Sequence, residues 1–62
     1  MNDRYYAIAT KYAKIEYNLT TGQKYILETS QKSCGTVEVY DLEGNFLKTA
    51  QLDDFENYIR ID

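Results

Sequence analysis

The chain has 62 residues, 44% of them hydrophobic and 27% charged, with a formal net charge of −3. That length makes one small domain, which buries only ~60% of its unfolded surface around a single thin core. The apolar content excludes disorder throughout, the acidity disfavours generic polyanion binding, and no apolar run approaches the ~20 residues that span a bilayer.

Residue types narrow the chemistry further. Cys34 is the only cysteine, so no internal disulfide can form, and histidine, proline and tryptophan are absent. Without histidine the usual catalytic triads and most zinc sites are lost. A reducing compartment fits this cysteine usage. Met1-Asn2-Asp3-Arg4 lacks the basic-then-apolar layout of a signal peptide, so a soluble, cytoplasmic protein is expected.

Along the chain, two patterns compete over residues 4–11. Tyr5, Ile8, Tyr12 and Ile15 have helical spacing, with Asp3 as a cap. The composition Arg4-Tyr5-Tyr6-Ala7-Ile8-Ala9-Thr10 instead favours a strand, and a strand is the expectation here. Ala13, Ile15, Tyr17 and Leu19 then alternate with Lys14, Glu16, Asn18 and Thr20, the period of a half-buried strand. A turn at Thr20-Thr21-Gly22-Gln23 and the alternation of Tyr25 and Leu27 with Lys24 and Glu28 complete a predicted hairpin over residues 13–29.

Residues 30–35 are polar and read as a loop. A second hairpin follows, with Thr36-Val37-Glu38-Val39-Tyr40 as one strand and Phe46-Leu47-Lys48-Thr49 as the other. Asp41-Leu42-Glu43-Gly44-Asn45 supplies the turn, with Asp41 closing an Asx-type turn. The two hairpins share a tyrosine, an amide or acid, a leucine and a glycine in order, a likeness that ordinary turn constraints explain. Leu52, Phe55, Tyr58 and Ile59 fall on one helical face, with acids in the first turn and Arg60 in the last, which predicts a helix over residues 51–59. The expected fold is α+β and mostly β. It is a four- or five-stranded antiparallel meander, open or curled into a small barrel, with one short C-terminal helix covering a face.

Charge is divided unevenly. Residues 1–37 hold five bases and three acids, a net of +2; residues 38–62 hold seven acids and two bases, a net of −5. Such a dipole orients a molecule on a charged partner, although the same charges also solvate a surface.

No motif carries catalysis. Asp41, Glu43, Asp53, Asp54 and Glu56 include no pair that a histidine or a pocket orients, so surface solvation explains them and no enzyme activity is expected. Asp41-Leu42-Glu43-Gly44 lacks the acidic spacing of a calcium loop. Gly22, Gly35 and Gly44 stand too far apart to cradle a phosphate. Asn18-Leu19-Thr20 matches a glycosylation acceptor by chance, and Cys34, without a partner histidine, reads as a small side chain rather than a nucleophile. No cofactor and no metal are expected.

Tyrosine is the outlier, with seven residues. Tyr5 and Tyr6 are adjacent, so in a strand they face opposite sides, and Tyr40 lies among Thr36 and Glu38. One of the first two, and Tyr40, should therefore lie on an outer face. Exposed tyrosine is a rigid amphipathic contact favoured at binding surfaces, while its strand propensity alone explains much of the excess.

These features make a non-catalytic protein-binding module the leading expectation. Its form would be a small acidic inhibitor of a nucleic-acid-handling complex, with Asp41, Glu43, Asp53, Asp54 and Glu56 as phosphate mimics and Tyr40 or Tyr58 as an anchor. In size and composition, though in no motif, the chain resembles small phage-encoded anti-defence proteins such as anti-CRISPR and anti-restriction inhibitors. A second expectation is a single-stranded nucleic-acid-binding β-domain using Lys11, Lys14 and Lys24 with Tyr12, Tyr17 and Tyr25. A third is a structural subunit or homo-oligomer that buries an open sheet edge.

Overall fold

A computed structural model describes residues 3–29 and 35–61. The strands among them are β1 (Arg4–Ala9), β2 (Lys24–Thr29), β3 (Thr36–Tyr40), β4 (Phe46–Gln51) and β5 (Phe55–Ile61). A short helix, α1 (Lys11–Tyr17), lies between β1 and β2, and a single 3-10 turn, η1 (Leu52–Asp54), lies between β4 and β5. The strands form one antiparallel sheet in the order β4, β3, β2, β1, β5. The mostly-β expectation, the N-terminal strand and the 36–49 hairpin are therefore observed. The loop predicted at 30–35 lies, apart from Gly35, outside the described residues.

The first predicted hairpin is corrected in its first arm. Residues 13–17 belong to α1, and Ile15, which the alternation placed inward, is 78% exposed. Local capping prevails over the alternation. The Thr10 hydroxyl oxygen accepts from Tyr12 N–H at 3.3 Å and donates to the Asp54 carbonyl at 2.7 Å. Asn18 ends the helix at φ 60°, a left-handed position that asparagine tolerates, with its N–H directed at the Ala13 and Lys14 carbonyls. The helix buries Ala13 against the sheet, and Leu19 follows it into the core. Gly22 then takes φ 83° in a turn closed by Gln23 N–H to the Thr20 carbonyl, and this hands the chain to β2.

The C-terminal helix is also corrected: residues 55–61 are strand. The spacing of three between Phe55 and Tyr58 is a bulge, not a helical turn. In the β1–β5 ladder Ile8 faces Glu56 while Tyr6 faces Ile59, so β5 carries one extra residue opposite Ala7. Asn57 absorbs it at φ 56°. An inserted residue turns Phe55 and Tyr58 to the same side and so imitates the helical period. Tertiary pairing decides the rest, since as a strand β5 bonds along the second edge of β1.

The sheet is open rather than a closed barrel, yet it must curl. From Gln51 to Phe55 the chain can span only ~14 Å. In a flat sheet β4 and β5 would stand four spacings apart, ~19 Å. Curling brings the β4 end toward the β5 start. Leu52 N–H reaches the Gly35 carbonyl at 2.8 Å, and Thr10 N–H reaches the Asp54 carbonyl at 3.2 Å, so η1 ties both sides together. The concave side holds the core: Ala7 and Ala9 of β1, Tyr25 and Leu27 of β2, Val37 and Val39 of β3, Ala50 of β4 and Phe55 of β5, with Ala13 and Leu19. Tyr25 and Phe55 meet edge to face, their ring centroids 6.5 Å apart.

Candidate functional site: the convex face of the sheet

Partners across an antiparallel ladder point to the same side. Ile59 pairs with Tyr6, Tyr6 with Ile26, Ile26 with Tyr40 and Tyr40 with Phe46. All five therefore stand in one row across every strand, on the convex side, opposite the core. Ile59 is 60% exposed and Phe46 55%. Tyr6, Ile26 and Tyr40 are half-buried by their neighbours. Tyr40 and Phe46 meet edge to face at 5.6 Å. No element among the described residues covers this row, because α1 and η1 lie with the core on the concave side.

Charges frame the row on both sides. On one side Arg4 pairs with Glu28, and Glu28 with Glu38. On the other, Glu56 pairs with Ile8, and Ile8 with Lys24. The Lys24 ammonium sits 5.2 Å from the centre of the Tyr6 ring, a cation–π distance. The Arg4 guanidinium approaches Glu28 at 3.9 Å, a loose exposed pair. A surface depression between Arg4, Ile26, Glu28, Tyr40 and Gly44 marks the middle of the row. Burial, then the carboxylates of Glu38 and Glu28, push the Tyr40 hydroxyl above its ordinary pKa.

The residues expected as a partner-binding set fall into two groups. Tyr40, Asp41 and Glu43 lie at the β3–β4 turn. Asp41 spends its carboxylate locally: Oδ1 accepts from Glu43 N–H at 3.0 Å and Asn45 N–H at 2.8 Å, and Oδ2 from Asn45 Nδ2 at 3.1 Å. These bonds hold its pKa below the ordinary aspartate value. Asp41 closes an Asx turn, as the sequence indicated, and Glu43 is exposed beside it.

Asp53, Asp54, Glu56 and Tyr58 gather at the junction of η1 and β5. The Tyr58 hydroxyl lies within hydrogen-bond reach of the Leu52 and Phe55 carbonyls. Burial first, then the charges of Asp53, Asp54 and Glu56, raise its pKa. Tyr17 is comparable. Its hydroxyl accepts from Gln51 N–H at 2.9 Å, its carbonyl accepts from the Lys48 ammonium, and burial raises its pKa.

The tyrosine–lysine set of the nucleic-acid expectation does not share one face. Tyr25 is in the core, its hydroxyl accepting from Thr20 N–H at 3.0 Å. Tyr17 is held against β4, whereas Tyr12 is exposed on α1 with the Lys11 ammonium 5.4 Å from its ring. Lys24 does share a face with aromatic rings, those of Tyr6, Tyr40 and Phe46. Sequence reasoning passed over Ile26, Phe46 and Ile59 as binding residues. The signal was there for Ile26, since Tyr25-Ile26-Leu27 breaks the alternation and forces its middle residue to the face opposite the core.

Among the described residues no group of three or more acidic or cysteine side chains is placed to hold a metal ion. Among the same residues no helix is long and apolar enough to cross a membrane. Comparison with protein-family models, with curated proteins and with solved structures found no match to this chain.

Proposed function

We propose that this protein is a non-catalytic binding module that docks another protein on its convex sheet face. One observation carries the reading: Ile59, Tyr6, Ile26, Tyr40 and Phe46 line up across all five strands on the side away from the core. Antiparallel sheets commonly show water a polar outer face. An aromatic and aliphatic row there, rimmed by charges, has the anatomy of an interface core and rim. The finer form of the reading is an acidic inhibitor of a nucleic-acid-handling complex, supported by Asp53, Asp54 and Glu56 around Tyr58.

The test is affinity capture from host lysate, with and without nuclease, using wild type and Phe46→Ser. A stoichiometric protein should survive nuclease treatment and be lost with the variant. Charge reversal at Asp53 and Asp54 tests the finer form; unchanged binding there removes the mimicry and leaves the docking face.

A second reading has its own observation. Lys24 over Tyr6, with Tyr40 and Phe46 in the same row, resembles a base-stacking platform. Glu28, Glu38 and Glu56 on that face oppose phosphates. Oligonucleotide affinity that falls steeply with salt would favour this reading, and indifference to oligonucleotides removes it.

A further inference from the structure

Resting on the docking reading, we infer that the partner surface is concave and presents a basic side chain over the Tyr40 and Phe46 end of the row. Shape comes first. The face is convex because its reverse wraps the core, so a second copy would meet it convex to convex and touch over little area. A concave partner covers the whole row.

Charge sets the orientation. Glu28 of β2 and Glu38 of β3 stand beside the Tyr40 end of the row, with Asp41 and Glu43 in the adjoining β3–β4 turn. Of the bases, Arg4 of β1 lies 3.9 Å from Glu28, and Lys24 lies at the other end of β2, against Tyr6. Glu28 and Glu38 are direct cross-strand partners, an arrangement of like charges that weakens a sheet. Tyr40 adjoins both carboxylates, and its ring adds a cation-attracting surface. A guanidinium or ammonium from the partner meets the Tyr40 ring and the Glu38 carboxylate at that end, beside the pair that Glu28 makes with Arg4. An anionic partner group is directed away from it.

The experiment follows backbone amide shifts of the labelled protein during titration with three capped amino-acid amides: arginine, norleucine and glutamate. Saturable shifts at residues 38–40 and 46 are expected with the arginine probe and not with the glutamate probe. Glu38→Gln should weaken the arginine probe about threefold, the scale of one exposed ion pair, and Glu16→Gln, exposed on α1 on the other side of the sheet, should leave it unchanged. The melting temperature of Glu38→Gln should be equal to or above that of wild type, since a like-charge pair is relieved. Equal shifts from arginine and norleucine overturn the basic partner and leave the docking face standing. No saturable shift from either overturns both. Arginine binding unaffected by Glu38→Gln, or self-association through the row, also overturns the inference.

Discussion

The two faces of the sheet are made of similar residues and do different work. The concave face carries alanine, valine, leucine, tyrosine and phenylalanine, and each residue assigned to the core there is less than a tenth exposed. The convex face carries isoleucine, tyrosine and phenylalanine in register, and two of its five row residues are more than half exposed. Hydrophobicity therefore does not separate a core residue from a binding residue in this protein. What separates them is whether the chain returns to cover that side. The three residues of η1 and the seven of α1 both fall on the concave side, and neither reaches the other.

The sharpest way to break this contrast is to truncate one residue from each face. Leu27 is fully buried, so Leu27→Ala should cost about 2–5 kcal/mol through lost burial and a cavity. Urea unfolding followed by circular dichroism checks this, and a loss near zero would show that the core is not where the packing places it. Phe46→Ser on the convex side should cost less than about 1 kcal/mol, as exposed substitutions do, while lowering partner capture. If Phe46→Ser unfolds the domain instead, the row is structural and the contrast fails.

Between these limits lies the η1 junction, where the edges are tied. Tyr58→Phe removes a hydroxyl near two carbonyls and should cost about 0.5–1 kcal/mol, the usual net value of one hydrogen bond. Thermal melts of the pair decide it, and an unchanged midpoint would mean that the hydroxyl contributes nothing to the closure.

Smaller effects are expected from pH. Tyr17, Tyr40 and Tyr58 are raised above the ordinary value of 10.0, chiefly by burial. Folding then favours their neutral forms, so their contribution is complete below about pH 10 and is lost as pH rises through the raised values. In ultraviolet titration, Tyr17→Phe, Tyr40→Phe and Tyr58→Phe should each remove a component that ionises above pH 10.0. Asp41 is lowered from 3.8 by its turn hydrogen bonds. Its contribution is complete above that value and is lost as pH falls through the lowered one. In Asp41→Asn the acid limb of the stability curve should flatten, and an identical limb would show that the turn does not depend on the charge.

Some of this was legible in the sequence because it is local. The hairpin of β3 and β4 is set by β-branched alternation and by the Asx turn at Asp41, both of which act within a few residues. Gly22 marks a turn for the same kind of reason. Adjacent Tyr5 and Tyr6 had to face opposite sides of any strand, and Tyr40 had to share a side with Glu38.

Tertiary structure decided the rest. The alternation over residues 13–20 is real as a pattern, yet Thr10 and Asn18 cap a helix through it, and the Thr10 hydroxyl does so while bonding to Asp54, 44 residues away. The helical spacing of Phe55 and Tyr58 is equally real, but the segment pairs with β1, and a bulge at Asn57 supplied that spacing in a strand. The convex row was the least legible feature. Its five members come from five strands, and only the ladder register sets them side by side. Backbone alternation determines which side of its own strand each residue occupies; only the curl of the sheet, closed by three residues of η1, determines which side becomes the core.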